Sequence, residues 1–295
     1  MDQKAFLQAL TIETKARLML RSDAEGLRHL LGHWGLIAVC GTWIGLGLPL
    51  WWALLPVQGV LLVFLFTLEH EATHKTPFAN ERLNEWVGRI CGFVLLLPFE
   101  WFRYFHLAHH RWTNIDGQDP ELAGEKPATW AAWAWHVSGL PYWGAQIGLL
   151  ADLTAGKAEG EYLPTRAVMR VVSQARWMVL GYGVTLATLW LTPVLFWVWL
   201  LPMVLGQPAL RVYLMAEHGD CPKVANMFMN TRTTYTTAVM RFLAWNMPYH
   251  TEHHVFPAVP FYRLPELHRL MRDELRVTSA GYSAFTAAYL ARRRR

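Results

Sequence analysis

Leu55–His74 reads LPVQGVLLVFLFTLEHEATH. From Leu55 to Leu68 it carries no charge, and it ends in His70-Glu71-Ala72-Thr73-His74, with two histidines at i and i+4. An apolar helix that runs straight into a metal-ligating face sets the reading of the rest of the chain. The uncharged run starts upstream at His33. His33 to Leu68 is long enough for two membrane-crossing helices of about 17–20 residues each, in a tight hairpin broken near Pro49 to Pro56.

Two further boxes repeat the theme. His106-Leu107-Ala108-His109-His110 and His250-Thr251-Glu252-His253-His254 each place histidines at i, i+3 and i+4. Positions three and four apart share a helix face, with Cβ atoms roughly 5–6 Å apart. Imidazole is the commonest side-chain ligand for transition metals. Of 13 histidines, eight fall in these boxes, more than one ion accepts, which predicts a two-metal site. His29, His33, His136 and His268 lie outside the boxes and read as ordinary hydrogen-bonded or solvated side chains. Box one alone also matches H-E-x-x-H, the zinc protease helix with its glutamate as general base. A zincin needs one further ligand rather than two more histidine boxes, so protease is the minor alternative. A non-catalytic metal-binding membrane protein is another.

Composition points to the bilayer. Apolar residues make up 53%, charged residues 17%, and there are 16 tryptophans, a pattern that fits an interfacial aromatic belt. The net charge is +5 and the chain ends in Arg292 to Arg295, read as a membrane-surface anchor or solvated end. No aromatic-interleaved basic motif accompanies it, which argues against nucleic-acid binding. Cys40, Cys91 and Cys221 are scattered and predict no disulfide framework. Met1 to Thr14 lacks an apolar core, so no cleavable signal peptide is expected.

Taken in order, residues 3–21 read as one amphipathic surface helix. Residues 86–99 are apolar but short and contain Arg89, more like a partly inserted helix than a span. Residues 127–151 lack charges but are interrupted by Gly139-Leu140-Pro141 and flanked by basic residues on both sides, which favours two interfacial pieces. A second uncharged run, Trp177 to Leu210, breaks at Thr192-Pro193 and predicts another hairpin, its last helix continuing to Glu217 and His218. Residues 264–277 read as an amphipathic helix with Pro265 in its first turn.

The expectation is one all-α integral membrane domain over 1–295, with four transmembrane helices in two hairpins and a cytoplasmic helical cap carrying the boxes. Its segments are an interfacial helix (1–32), hairpin one (33–69), a region with boxes one and two (70–175), hairpin two (176–217) and a region with box three (218–295). Neither outward turn, near 49–56 or 191–194, contains Lys or Arg. The positive-inside tendency then puts both termini and all three boxes on the cytoplasmic side, in a bacterial inner membrane.

Box order and spacing, together with Arg111-Trp112-Thr113-Asn114, Asp119-Pro120-Glu121, Asn246-Met247-Pro248-Tyr249 and Phe256-Pro257, resemble the integral-membrane fatty acid desaturase superfamily, which includes hydroxylases and ketolases. The resemblance covers most of the chain and is specific for the superfamily, much less so for the substrate. It implies a di-iron centre held by His70, His74, His106, His109, His110, His250, His253 and His254. It also implies a ligand outside the boxes, for which His218 stands in the right place; a capping histidine is the alternative there. Metal-bound histidines usually give their other N–H to a carboxylate or carbonyl. Glu71, Asp116, Asp119, Glu217 and Glu252 are candidates for that role, each alternatively a solvated charge, and Asn114 and Asn246 are weaker ones.

The implied reaction is O2-dependent desaturation of a fatty acyl or similar alkyl chain, with two iron ions as cofactor and electrons from outside. A hydroxylase on the same scaffold, including one acting on a non-lipid small molecule, is the alternative. Trp101, Phe102, Tyr104, Phe105, Trp112, Phe256 and Phe261 are candidates to line the acyl path, or belong to the interface or core. With no His-Pro-Gly-Gly and no spare domain, the expected electron donor is a separate ferredoxin or similar carrier with its reductase.

Overall fold

The computed structural model describes residues 2–124 and 126–294; Met1 and Arg295, at the two ends of the expected segments, lie outside the described residues. The chain is almost entirely helical. In order it forms α1 (Gln3–Ala9), α2 (Ile12–Leu18), α3 (Asp23–Gly45), α4 (Leu55–Val63), α5 (Leu65–Thr73), α6 (Glu81–Leu95), α7 (Phe99–Trp112), α8 (Trp130–Val137) and α9 (Leu140–Thr154). There follow α10 (Thr165–Leu189), α11 (Leu201–His218), α12 (Met227–Asn230), α13 (Ala238–Leu243), α14 (His250–Val255), α15 (Leu264–Met271) and α16 (Tyr282–Ala291). One two-residue parallel pairing, β1 (Thr233–Thr234) with β2 (Thr278–Ser279), is the sheet among the described residues.

The expected single helix over 3–21 is two helices. Thr11 accepts a hydrogen bond from the Thr14 backbone N–H and caps a new start, because a threonine side chain at this position competes with continued helix. The first long helix begins at Asp23 under a Ser22 cap, so the expected boundary at 32/33 falls inside it. The helix expected over 264–277 ends at Met271, where the chain turns towards β2.

Two helical stretches among the described residues are both long and apolar enough to cross a membrane, Trp51–Thr73 and Phe196–His218. A third would count if α6 and α7, bent by 99° at Leu96-Leu97-Pro98, form one broken span. The other two expected spans, α3 and α10, have 23 and 25 residues. They carry Asp23, Glu25 and Arg28, and Arg166, Arg170 and Arg176, in their N-terminal halves. The second hairpin packs on a third helix. Phe93 of α6 stacks on Tyr182 of α10 at 4.6 Å and lies 5.6 Å from Trp199, which donates to the Val94 carbonyl. Thus α6 packs against both arms, which also meet each other through Tyr182 and Trp199, 6.3 Å between ring centres.

The closest helix packing joins α4 to α11. A Cβ on Gly59 would lie 2.3 Å from the Pro202 carbonyl oxygen, and one on Gly206 would lie 2.2 Å from the Gly59 oxygen. Paired small residues let two backbones touch, the usual device where helices meet in lipid. This contact sets α5 and the C-terminal end of α11 side by side, which brings His70 and His218 into one site.

The cap packs under these helices. His33 is fully buried; its Nε2 meets the Leu61 carbonyl at 2.9 Å and its Nδ1 accepts from the Trp245 indole. His29 likewise meets the Phe242 carbonyl. Arg292 and Arg293, though Arg292 is exposed, both bind Asp220, and the Arg294 carbonyl accepts from Trp130 N–H. All three cysteines are free and buried.

Candidate metal centre

All nine predicted ligand histidines meet in one place, from α5, α7, α11 and α14. Among the described residues they form two groups in which one ring nitrogen from each histidine lies within 4.8 Å of the others. The first group is His70, His74, His106, His110 and His253; the second is His109, His218 and His254. His250 adjoins the second, its Nε2 lying 3.0 Å from that of His218 and 3.1 Å from that of His254. The groups cut across the boxes. His106 and His110 face one group and His109 the other; His253 faces the first group while His250 and His254 turn to the second. Consecutive residues on a helix point about 100° apart, so an HxxHH box serves two positions at once.

In the second group each outer ring nitrogen has an acceptor. The Nδ1 of His109 lies 3.0 Å from both oxygens of Asp119. The Nδ1 of His218 donates to the Asn230 carbonyl at 3.0 Å. The Nδ1 of His254 lies 3.1 Å from the Thr113 hydroxyl oxygen. That hydroxyl spends its own proton on the His109 carbonyl, so it accepts from His254. With the proton fixed on Nδ1, His109 and His218 each keep a lone pair on Nε2, and these face one another at 3.2 Å; the Nε2 of His250, whose own Nδ1 has no hydrogen-bond partner among the described residues, lies 3.0 and 3.1 Å from those of His218 and His254. Lone pairs so placed repel, and a bound cation is what relieves them. The residues therefore fit a metal ion, and an all-imidazole set suits iron, zinc or copper by ligand chemistry.

The first group has the same inward convergence. Nε2 of His74 and His106 are 2.9 Å apart, and those of His110 and His253 are 3.1 Å apart. Its outer side is looser. Nδ1 of His253 lies 3.4 Å from Glu71 Oε1, and Nδ1 of His70, His106 and His110 has no hydrogen-bond partner among the described residues.

Electrostatics favour neutral rings at all of the shifted ligand histidines but His109, where burial opposes the charged form and the Glu121 and Asp119 carboxylates outweigh it, holding the ring above its ordinary value. Burial, then the neighbouring imidazoles, push His250, His253 and His254 well below the ordinary histidine range, and burial brings His74 down to about 3. Neutral imidazole is the form that binds metal. Burial alone would raise the Asp119 carboxyl, but the His109 ring and the backbone N–H groups of Asn114 and Glu121 hold it below its usual value.

The remaining predicted partners divide. Glu71 and Asp119 face ligand histidines, and Glu217 Oε1 lies 3.4 Å from His250 Nδ1. Asn114 acts one step back: its backbone N–H donates to Asp119 and its amide to the Cys221 and Pro222 carbonyls. Glu252 turns away from the histidines to accept from Thr233 and His268, since the adjacent His253 and His254 take the inward faces of the short α14. Asp116 is on the surface, paired with Lys223. Asn246, in a left-handed turn, ties its amide to the Phe261 carbonyl and touches no ligand histidine. Sequence reasoning missed Thr113, Asn230 and Glu121, whose carboxylate is 3.6 Å from His109 Nδ1. Glu121 was within reach, lying in a motif already singled out; Asn230 carried no local signal, being placed by the cap. His268, expected to be hydrogen-bonded or solvated, pairs with Glu252.

A cavity of about 440 Å³ opens beside the histidines and is lined by His70, His106, His109, His218 and His250. Trp101, Phe102 and Phe105 form part of its wall. Tyr104, Trp112, Phe256 and Phe261 do not line it; Phe261, for one, packs edge-on against Trp245 at 4.6 Å.

Comparison with known proteins supplies the context. Residues 47–286 match the family model for fatty acid desaturases. The chain is 23% identical over 263 residues to the sphingolipid delta(4)-desaturase/C4-monooxygenase of Mus musculus, covering 86% of this chain and 76% of the relative. It is 24% identical over 246 residues to the sn-1 oleoyl-lipid 12-desaturase of Arthrospira platensis, covering 75% and 69%. With the family match running from before box one to beyond box three, the chain belongs to the fatty acid desaturase family and is an oxidoreductase of that family.

Proposed function

We propose that the protein is a membrane-bound, non-haem di-iron enzyme that uses O2 and external electrons to desaturate a fatty acyl or similar alkyl chain. The observation that carries this reading is the pair of adjacent histidine groups, lone pairs inward, at the wall of a cavity with an aromatic side. His70, His74, His106, His110 and His253 would hold one iron, and His109, His218 and His254, with His250 beside them, the other. Bound there, the irons would supply O2 activation and the oxidising power that an unactivated C–H bond demands. The chain's own residues do the rest. Asp119, Asn230 and Thr113 fix ring orientation, and Phe66, Phe102 and Phe105 shield the reacting carbon from water.

Hydroxylation is the second reading, favoured by one observation: the name of the mouse relative joins a desaturase and a monooxygenase activity. The protease reading loses its general base, because Glu71 Oε2 accepts from Thr76 and from Phe261 N–H while Oε1 faces His253.

In the membrane, we place α3, Trp51–Thr73, α10 and Phe196–His218 as four crossings, with both termini and the boxes on the cytoplasmic side of a bacterial inner membrane. The exposed tips support this. Leu46, Leu50 and Trp52 at one turn and Trp190 and Leu191 at the other are open, which suits lipid or its interface. A ferredoxin-like donor, itself served by a reductase, would approach the basic cleft of Lys126, Lys223, Arg232, Arg292 and Arg293, which shares Lys126 and Asn114 with the cavity wall.

The test is mass spectrometry of lipids and metabolites from cells expressing the chain or its His253→Ala variant, with metal analysis of both proteins. New double bonds or hydroxyls with the native chain alone, and near two irons per chain, are expected. Identical profiles would sink the catalytic reading, and one zinc with peptide cleavage would replace it.

A further inference from the structure

The cavity holds a polar cluster that the metal centre does not use. Arg211 of α11, His136 of α8, and Tyr142 and Gln146 of α9 all line it. The Arg211 guanidinium carbon lies 4.3 Å from the centre of the Tyr142 ring. Arg211 has no ion-pair or hydrogen-bond partner among the described residues, and Gln146 Oε1 is likewise unpartnered. Three carboxylates share the wall: Asp119 and Glu121 face His109 and Glu217 faces His250, while Glu121 and Glu217 also act on the Arg211 charge from beyond ion-pair distance. One turn before Arg211, Gln207 is fully buried with both amide atoms unpartnered. A buried charge with no contacting partner is only partly compensated and therefore costly, and an ionisable residue within a membrane-crossing helix by default marks function.

One stretch of the wall, Phe66, Trp101, Phe102 and Phe105, is aromatic and leads to the histidines. Phe66 lies 6.4 Å from the His70 ring and Phe102 stacks on His106 at 5.5 Å. Arg211 precedes His218 by two helical turns, about 10 Å along the axis. A planar guanidinium matches a carboxylate with two parallel N–H···O bonds. We propose that the cavity takes an amphiphile with a free carboxylate, held head-in by Arg211, with its alkyl chain laid across the histidines towards the aromatic wall. Arg211 is thus the specificity-determining residue, selecting free acids over esters and alcohols. This deepens the desaturase reading of the site and rests on it for what happens to the chain.

The test needs no turnover. Full-length, iron-loaded protein in nanodiscs of zwitterionic phosphatidylcholine is titrated with radiolabelled laurate, methyl laurate and lauryl alcohol. Native protein should bind laurate at least tenfold tighter than either neutral probe. Arg211→Gln should erase that preference, and Arg211→Lys, which keeps charge but loses the fork, should retain part of it. Unchanged melting temperature and iron content in both variants show that the fold is intact; if Arg211→Gln is unstable, Arg211→Lys with a weakened preference carries the test. Equal binding of acid and ester by native protein, full preference in Arg211→Gln, or no laurate binding would each overturn the proposal. Carboxylate selectivity without any oxidised product would leave it standing and break the desaturase reading instead.

Discussion

The two histidine groups use the same ligand atom and differ in what stands behind it. Behind His109, His218 and His254 stand a carboxylate, a backbone carbonyl and a committed hydroxyl, at 3.0–3.1 Å. Behind His70, His106 and His110 stands no hydrogen-bond partner, and behind His253 a glutamate at 3.4 Å. One position is oriented before metal arrives; the other is shaped mainly by ring packing, as in the 4.1 Å approach of His70 to His106. The difference teaches that ligand count and ligand preorganisation are separate properties. The group with fewer histidines is the one with the better-fixed rings.

The comparison can be broken most decisively at the ligands. Replacing His218 or His253 with alanine should abolish turnover and take iron from near two per chain towards one or fewer, as read by elemental analysis; two irons retained in His218→Ala would remove that residue from the ligand set. Next in size is Asp119→Asn, which trades a bidentate acceptor for a neutral amide. It should cost on the order of 10–100-fold in iron affinity or activity. Glu71→Gln, with its longer contact, should cost less, and an equal or larger loss there would reverse the proposed contrast. Smaller again is Thr113→Val. It strands the His254 Nδ1 proton, at a cost of about 1–3 kcal/mol for an unsatisfied buried donor, measurable by unfolding of the metal-free protein and absent if the ring re-pairs. Asp116→Ala should change neither iron content nor activity, because its partner Lys223 sits on the surface; a loss of iron in that variant would mean that the carboxylate reaches the centre after all.

Much of the site was legible because the relevant geometry is local. Histidines at i, i+3 and i+4 share a face whatever the rest of the chain does, and an uncharged run of membrane-crossing length limits where the polar faces lie. His218 was reachable for the same reason, as the polar end of an apolar helix. The failures were non-local. Glu252 sits inside a box yet binds Thr233 and His268, partners that no local pattern names. Asp116 and Asp119 are three residues apart in one loop, and only the fold decides that one meets Lys223 and the other His109. The packing of α6 on the second pair of long helices, through Phe93 against Tyr182 and Trp199, joins residues too far apart in sequence for any local pattern to announce it.

The sequence by itself determined that there are three histidine faces, that apolar helices deliver two of the metal-binding elements, and that the chain belongs among histidine-box oxidoreductases. The first two follow from helical periodicity and hydropathy, which act over a few turns; the third rests on the resemblance of the boxes and their flanking motifs to a known family. Only the tertiary structure decided how nine histidines divide between two positions, which polar groups stand behind each ring, and that Arg211 is left unpaired in the cavity. Those depend on the rotation and close approach of helices far apart in the chain, above all at the Gly59–Gly206 contact, where two backbones meet because neither residue has a side chain to keep them apart.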